Sequence, residues 1–369
     1  MRYTAFGMAA LLCAAMPLTA AAQSYSDLRR SASPLVLRAQ GSFYVGGEVV
    51  EQSFVERGSF GPPGPGHLTI HQMYVEYMIP ASHRHSAPVV MVHGMGLSGK
   101  TWETTPDGRM GWDEYFVRRG HASYVIDQVS RARSGFNQAI YNNVRAGLLP
   151  PGSQPPMRRF SDEMGWGNFR FGTGPGAPFP DEQFPVEFLD ELAKQNVPDL
   201  NGTLPTPNPT YRALATLAVQ VKGAVVMTHS QSGRFGVEAA LTDAAGMKGL
   251  ILVEPGSCQP TRDTDQQIAT LARIPILVVF GDNLDAPTGV AGFSWRTSFE
   301  GCQAFIARVN AAGGNARMLY LPSLGIPGNS HMLMQDKNNR QVADLILAWM
   351  DRNVDTGKHG DKGSPHDHR

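Results

Sequence analysis

Residues 226–234 read Val-Met-Thr-His-Ser-Gln-Ser-Gly-Arg, and they join a short apolar run to a segment with helical character. A strand that turns sharply into a helix can expose a serine hydroxyl, and the pattern G-x-S-x-G lets strand and helix pack closely around it. With Ser230 at the centre, the outer positions are Thr228 and Ser232, which are small but are not glycine. The stretch therefore predicts a strand–turn–helix that presents Ser230 as a nucleophile; the alternative is an ordinary serine-rich turn that caps a helix.

A second motif lies at the end of an earlier apolar run. Pro88–Val92 is followed directly by His-Gly-Met-Gly at residues 93–96. A glycine-rich turn after a strand can direct a backbone N–H group at a negatively charged oxygen without a side chain in the way. We expect the N–H groups of Met95 and Gln231 to form such an oxyanion hole. Taken alone, the motif also fits a tight connection from a strand to a helix.

A nucleophilic serine needs a base, and the base needs a carboxylate that orients it. His331 lies in a loop after the last apolar run and before the C-terminal helical pattern, so we predict that it is the base. Glu254 follows the apolar run Leu250–Val253, and a carboxylate next to a buried strand needs a partner. We therefore prefer Glu254 as the acid. Asp282 and Asp285 stay open as alternatives, because both also lie between the serine and the histidine.

Short apolar runs alternate with helical patterns along most of the chain, which is typical of a mostly parallel sheet flanked by helices. Runs without polar alternation indicate strands that are buried on both faces. The sequence thus predicts an α/β fold. The predicted strands are Ser42–Val50, Leu68–Ile79, Pro88–Val92, Ser123–Ile126, Ala224–Met227, Leu250–Val253, Ile276–Phe280 and Arg317–Leu321, and the predicted helices include Phe235–Ala244, Phe299–Asn310 and Arg340–Met350.

The composition changes at about residues 136–222, where glycine, proline and aromatic residues are frequent. Two helical patterns occur within this segment, Pro185–Gln195 and Tyr211–Val219. A structureless loop of this length is improbable inside a compact domain. We therefore predict an ordered, cap-like insertion.

The two ends of the chain differ from the middle. Arg2, the apolar run Met8–Leu18 and the small residues Ala20–Ala22 predict a signal peptide over residues 1–22, with cleavage near Ala22. An uncleaved N-terminal anchor is the alternative. The hydrolase-like domain is then expected over residues 23–355, and the polar, histidine-rich residues 356–369 are expected to be a disordered tail. We predict a protein that is exported to the periplasm or secreted, without stable membrane association.

Charge and cysteine content narrow the classes of partner. The 32 lysines and arginines equal the 32 aspartates and glutamates, so there is no electrostatic basis for binding nucleic acid. After cleavage Cys258 and Cys302 remain, and an even pair in an oxidising compartment suggests a disulfide, with two free thiols as the alternative. No metal-ligand spacing, dinucleotide fingerprint or P-loop occurs, so no metal or cofactor is predicted. No pattern indicates an oligomeric state.

These residues together resemble the α/β-hydrolase superfamily over nearly the whole mature chain. More closely, Thr-His-Ser-Gln-Ser-Gly at residues 228–233 with Val-Glu-Pro at residues 253–255 is similar to the exported bacterial carboxylesterases of the esterase 713 type. In that family the elbow glycines are replaced, and the acid is a glutamate on the strand after the nucleophile helix. The resemblance implies Ser230 as nucleophile, Glu254 as acid and His331 as base.

The expected function is that of a serine hydrolase of the carboxylesterase type. It would cleave small to medium hydrophobic esters through an acyl-enzyme intermediate, and its partner would be a small-molecule ester. Trp102, Trp166 and Phe171 are candidates to line the substrate pocket, although each also fits core packing. A lactonase, an amidase or a carbon–carbon (diketone) hydrolase with the same triad is the alternative. A non-catalytic binding protein that keeps the fold is a third possibility.

Overall fold

The structure is a computed structural model that describes residues 24–29, 31–82 and 86–354. The predicted signal peptide, its cleavage site and the predicted tail at residues 356–369 lie outside the described residues. Within the described ranges, no helix is long and apolar enough to cross a membrane. The division of the chain into signal peptide, domain and tail stays a prediction.

Each of the eight predicted strands is a strand of one large sheet, with ends that differ by a few residues. The largest difference lies at the first strand, which begins at Leu37. This part of the strand has polar residues on its exposed face, and it pairs with the neighbouring strand as far as Pro80. The described strands are β1 (Leu37–Gln52), β2 (Gly66–Pro80), β3 (Val89–Val92), β4 (Ser123–Asp127), β5 (Gly172–Gly174), β6 (Ala177–Pro178), β7 (Ala224–His229), β8 (Met247–Val253), β9 (Ile276–Phe280) and β10 (Ala316–Tyr320).

The strand order of the sheet creates a crevice at its centre. The order is β1-β2-β4-β3-β7-β8-β9-β10, and a separate two-stranded sheet pairs β5 with β6. Strand β2 is antiparallel to β1 and β4, and every other adjacent pair in the large sheet is parallel. The strand order reverses between β3 and β7: the strand that follows β3 in the chain, β4, lies on one side, and the strand that follows β7, β8, lies on the other side. Sheets of α/β proteins bind ligands at such a reversal, at the carboxyl ends of the strands. Val92 pairs with Thr228 there, so the turns after β3 and β7 are neighbours.

Helices cover both faces of this sheet, which confirms the predicted α/β fold with a mostly parallel sheet. The helices are α1 (Trp112–Arg118), α2 (Ala139–Arg145), α3 (Asp162–Asn168), α4 (Leu189–Lys194), α5 (Pro209–Gln220), α6 (Gly233–Thr242), α7 (Asp265–Leu271), α8 (Trp295–Ala311) and α9 (Asn339–Asn353).

Two hydrophobic cores form because successive strand residues point to opposite faces. Val226 and Val278 belong to a core with α5, α6, α7 and α8. Their neighbours Val225 and Val279 belong to a second core with α1, α9 and aromatic residues of the segment 136–222. The unbroken apolar runs of the sequence follow from this burial on both faces.

The segment 136–222 is built from short elements. It contains α2, α3, α4, the small hairpin of β5 and β6, and α5. The last of these helices packs against β1, β2, β7 and α6 and is therefore part of the layer that flanks the sheet. The rest of the segment carries Phe160 and Phe169 into the second core, next to the carboxyl end of β7.

Candidate active site

Ser230 is the first residue after β7 and begins a short 3-10 turn, Ser230–Ser232, that leads into α6. Its φ angle is 57°, in the left-handed region that residues with a side chain rarely adopt. Such strain is characteristic of a turn that holds a side chain out for a function. Ser230 borders a narrow space of about 10 Å³, roughly the room that one water molecule needs. The other residues that line it are Met95, Leu97, Phe160, Met164, Gly165, Asn168 and Phe169.

At two residues of this region, Gly94 and Gly233, the backbone lies so close to neighbouring atoms that there is no room for a side chain. A methyl group at Gly233 would lie 2.4 Å from Cβ of Pro255, and one at Gly94 would lie 2.8 Å from Cβ of Ser230. Both distances are far below van der Waals contact, so neither position accepts a side chain. The glycine that lets helix α6 pack closely is thus one residue later than in G-x-S-x-G, which explains how the turn tolerates Ser232.

Ser232 is fully buried, and its hydroxyl is used by the backbone. Its Oγ accepts a hydrogen bond from the N–H of His229 at 2.9 Å and lies 3.0 Å from the carbonyl oxygen of Val92. These contacts join the end of β3 to the turn after β7. Ser232 therefore has a structural position, whereas Ser230 borders the narrow space described above.

His331 and Glu254 meet above the carboxyl ends of the strands. Nδ1 of His331 lies 3.1 Å from Oε2 of Glu254, and both side chains are fully buried. Because a carboxylate only accepts hydrogen bonds, Nδ1 carries the proton and Nε2 is left as an acceptor. Nε2 is buried without a hydrogen-bond partner among the residues that the structure describes. The His331 ring lies against His229, the neighbour of Ser230, with ring centroids 4.6 Å apart.

Arg170 is a further buried charge in this cluster, and its role was not predicted from the sequence. Its Nη2 donates to Oε1 of Glu254 at 2.7 Å, and its Nε donates to the carbonyl oxygen of Asp282 at 2.7 Å. The side chain is completely buried and lies over the ring of Trp295. Glu254 also accepts from the N–H of Gly281 at 2.5 Å. The only sign in the sequence that Arg170 is buried is its position between Phe169 and Phe171, and this position does not indicate which residue it pairs with.

Asp285, the alternative acid, lies elsewhere. Its side chain is 74% exposed and pairs with Arg296 at 2.7 Å. Asp282, the other alternative, accepts from the N–H groups of Asn283 and Gly328. Of the three carboxylates that the sequence left open, only Glu254 contacts His331.

The charge states of Glu254 and His331 follow from burial and from their neighbours. Burial opposes the charge on Glu254, but Arg170 and the hydrogen bond with His331 outweigh it and lower the pKa of Glu254 to about 2. Burial lowers the pKa of His331 to about 4, although Glu254 favours the charged ring. At neutral pH, Glu254 is thus an anion and His331 is a neutral ring.

Two further histidines border the turns and have structural contacts. Nε2 of His93 accepts from the N–H of Gln128 at 3.1 Å, and burial, with Arg131, lowers the pKa of His93 to about 4. Nε2 of His229 lies 3.0 Å from the carbonyl oxygen of His331. Burial lowers the pKa of His229 well below its ordinary value. His229 therefore points at the loop of His331 and away from the space beside Ser230.

The predicted oxyanion residues both lie close to Ser230. Met95 follows Gly94 and borders the same narrow space as Ser230. Gln231 follows Ser230 directly, and its side-chain amide donates to Oδ2 of Asp199 at 2.8 Å. The turn after β3 and the turn after β7 thus lie together, as the pairing of these two strands requires.

The three aromatic residues that were predicted to line the pocket lie in the core. Trp102 is fully buried between Trp112 and His229, Trp166 is 5% exposed, and Phe171 stacks on Phe184 with ring centroids 4.1 Å apart. None of the three borders the space beside Ser230, and residues close to Trp166 in the sequence line it instead. The reason is the orientation of α3, which turns Met164 and Asn168 toward Ser230 and Trp166 into the core.

Cys258 and Cys302 form a disulfide, as the even cysteine count suggested. The bond joins the loop after Glu254 to helix α8. Within the described part of the chain, no group of three or more histidine, cysteine, aspartate or glutamate side chains is arranged to hold a metal ion.

The chain is similar to known proteins in sequence and in structure. A solved structure described as that of a novel bacterial esterase is 45% identical in sequence and superimposes with a TM-score of 0.81, covering 88% of this chain and 99% of that chain. A probable secreted lipase, phiG, of a fungal species (strain ATCC 74256) is 26% identical in an alignment of length 328 that covers 76% of this chain and 86% of the relative. No protein-family model matches the chain.

Proposed function

Because the chain belongs to the α/β-hydrolase superfamily and, within it, to the family of the bacterial esterase that it matches at 45% identity, we propose that it is a serine carboxylesterase. Its substrates are carboxylic esters of small to medium hydrophobic molecules. The observation that carries this proposal is the buried contact of 3.1 Å between Glu254 and His331, whose Nε2 has no partner among the described residues, beside the strained turn of Ser230.

The reaction begins when Oγ of Ser230 attacks the ester carbonyl and Nε2 of His331 takes the proton of the hydroxyl. The tetrahedral oxyanion accepts hydrogen bonds from the N–H groups of Met95 and Gln231. When the intermediate collapses, the bond to the alcohol oxygen breaks, and His331 returns the proton to the leaving alcohol. A water molecule then attacks the acyl-enzyme by the same route and releases the carboxylic acid and free Ser230.

Arg170 balances the negative charge of Glu254 during this reaction. The ion pair of Arg170 and Glu254 is neutral as a whole, so the resting site carries no net charge when His331 is neutral. When His331 takes the proton, the new positive charge is matched by the oxyanion that forms at the same time. The buried site thus stays neutral throughout the step, which limits the cost of forming charge away from water.

The lining of the space beside Ser230 supports an apolar substrate. Phe160, Met164 and Phe169 supply apolar surface there, and Asn168 is the one amide in the lining. A narrow apolar space favours a short acyl or alcohol group over a peptide or a charged substrate. These three apolar residues come from the segment 136–222, which we propose to be a cap over the site.

The proposed location is outside the cytoplasm. A related protein is described as a probable secreted lipase, and a disulfide joins Cys258 to Cys302. Disulfides persist in oxidising compartments. We therefore propose that the protein is exported with the help of the N-terminal signal peptide.

The test is hydrolysis of p-nitrophenyl acetate and butyrate by the wild type and by Ser230→Ala. We expect Ser230→Ala to lower kcat by at least about a thousandfold, because no attacking group remains. Circular dichroism of both proteins controls for folding. Turnover that survives in Ser230→Ala refutes Ser230 as the nucleophile, and Ser232→Ala then tests the neighbouring serine. A wild type that cleaves only lactones, amides or diketones refutes the ester assignment.

A further inference from the structure

A second buried ion pair, between Arg131 and Asp199, contacts the residue that follows Ser230 in the chain. Nη2 of Arg131 is 2.8 Å from Oδ2 of Asp199, and the side chains are 0% and 5% exposed. The same Oδ2 of Asp199 accepts from the side-chain amide of Gln231 at 2.8 Å. One carboxylate oxygen therefore touches both Arg131 and the residue that follows Ser230.

Arg131 also holds the turn that contains Met95. Its Nη1 donates to the carbonyl oxygen of Gly94 at 3.1 Å and to that of Leu97 at 3.2 Å. The carbonyl oxygen of Gly96, between them, accepts from the N–H of Val197 at 2.7 Å. Three carbonyl groups of this turn are thus bound by Arg131 and by the chain just before Asp199.

These contacts fix the direction of the N–H of Met95. In a planar trans peptide, the C=O of one residue and the N–H of the next point in opposite directions. Because the carbonyl of Gly94 points at Arg131, the N–H of Met95 points away from Arg131. The N–H of Gln231 is fixed in the same way, since the carbonyl of Ser230 accepts from the N–H of Gly256 at 2.9 Å.

We propose that Arg131 and Asp199 are positioning residues that set the two oxyanion donors relative to each other. Arg131 orients the peptide of Met95, and Asp199 ties Arg131 to Gln231. The two donors belong to separate turns, after β3 and after β7, and Asp199 bridges them through side chains. This proposal rests on the proposed function, because it concerns the oxyanion hole of that esterase.

The test compares an ester with its thionoester, which has a C=S group in place of C=O. Sulfur accepts hydrogen bonds poorly, so a thionoester gains little from the oxyanion donors. The substrates are p-nitrophenyl butyrate and the matching p-nitrophenyl thionobutyrate, and the variant is Asp199→Asn. We expect kcat for the ester to fall about tenfold or more, with a much smaller fall for the thionoester and little change in KM.

The matched control is Asp263→Asn, which breaks another buried arginine–aspartate pair. Arg234 and Asp263 are 8% and 2% exposed, respectively, and Asp263 contacts neither turn of the site. We expect this variant to lower the melting temperature while the ratio of ester to thionoester turnover stays that of the wild type. A merely structural role for Asp199 predicts the same outcome for Asp199→Asn, and that result overturns the proposal.

A second variant keeps the test decisive if Asp199→Asn does not fold. Gln231→Met removes only the amide that Asp199 binds; the ion pair of Arg131 and Asp199 stays, and so does the backbone N–H of residue 231. We expect it to lower the ratio of ester to thionoester turnover by severalfold. A wild type without Ser230-dependent turnover refutes the proposed function itself. Normal turnover with an unchanged ratio in this variant overturns the positioning proposal alone.

Discussion

The sheet and the segment 136–222 contribute to the candidate site in different ways. The sheet supplies Ser230, Glu254 and His331 from the loops at the carboxyl ends of its strands. The segment supplies Arg170 and Asp199, two buried charges that contact the residues around the serine. The residues from the sheet are positioned by the backbone of the strands and loops. The residues from the segment are joined to the site by ion pairs and hydrogen bonds of their charged side chains. The difference separates the residues that would react from those that would hold them in place.

The largest expected effect lies on the sheet side. Glu254→Gln keeps the shape of the side chain but removes the charge that orients and stabilises the ring of His331. We expect kcat on p-nitrophenyl butyrate to fall by about a thousand- to ten-thousandfold. The control is Asp285→Asn, which removes a carboxylate that is 74% exposed and should leave kcat within about twofold of the wild type. A large loss in Asp285→Asn with little loss in Glu254→Gln would reverse the assignment of the acid.

An intermediate effect is expected on the side of the segment. Arg170→Gln removes the positive charge that lowers the pKa of both Glu254 and His331. A higher pKa of either residue protonates it at a higher pH, so activity is lost earlier on acidification. We expect kcat/KM of the wild type to fall to half near pH 4, the pKa of His331, and the midpoint of the variant to move upward. We also expect kcat at neutral pH to fall about 10- to 100-fold, because a buried partner of Glu254 is lost.

The control for Arg170 is Arg296→Gln. Arg296 also pairs with a carboxylate and lies over an aromatic ring, but its side chain is 35% exposed and its partner is Asp285. Its pH profile should match that of the wild type. If Arg170→Gln also keeps the wild-type profile, then Arg170 contributes no charge to catalysis, and the contrast between the two regions fails at this residue.

The smallest effect on catalysis is expected from the disulfide. Cys258→Ala with Cys302→Ala removes a link across 44 residues that anchors the loop after Glu254 to α8. Loop closure predicts a loss of about 2–4 kcal/mol in the free energy of unfolding, measured in urea. Glu254 keeps its contacts with Arg170, Gly281 and His331, so kcat at 25 °C should change by less than about threefold. A larger loss of kcat would show that the acid is held by this link as well.

The sequence predicted the strands of the sheet and the turns at their carboxyl ends, because the signals for these elements are local. A serine after an apolar run, a glycine-rich turn and a glutamate at the end of a strand each lie within a few residues of the element that positions them. The order of the strands then brings the turns of Met95 and Ser230 together without further information.

The contribution of the segment could not be predicted in the same way. Arg170 and Glu254 are 84 residues apart, and no motif near either residue indicates that the other is its partner. The position of the aromatic residues could not be predicted for a related reason: Met164 borders the space beside Ser230, and Trp166, two residues later, lies in the core. In a helix as short as α3, the rotation about its axis is set by the packing around it, and a sequence pattern cannot supply that rotation.

The buried charges of the segment also limit how this scaffold can be altered. Replacing the segment with one that lacks Arg170 and Asp199 would leave Glu254 and Arg131 in the interior without the opposite charges that they pair with. An unpartnered buried charge destabilises a fold by several kcal/mol. The segment is therefore not an interchangeable module for redirecting substrate choice. A chimera would have to carry an arginine and an aspartate at these two positions, whatever else it changes.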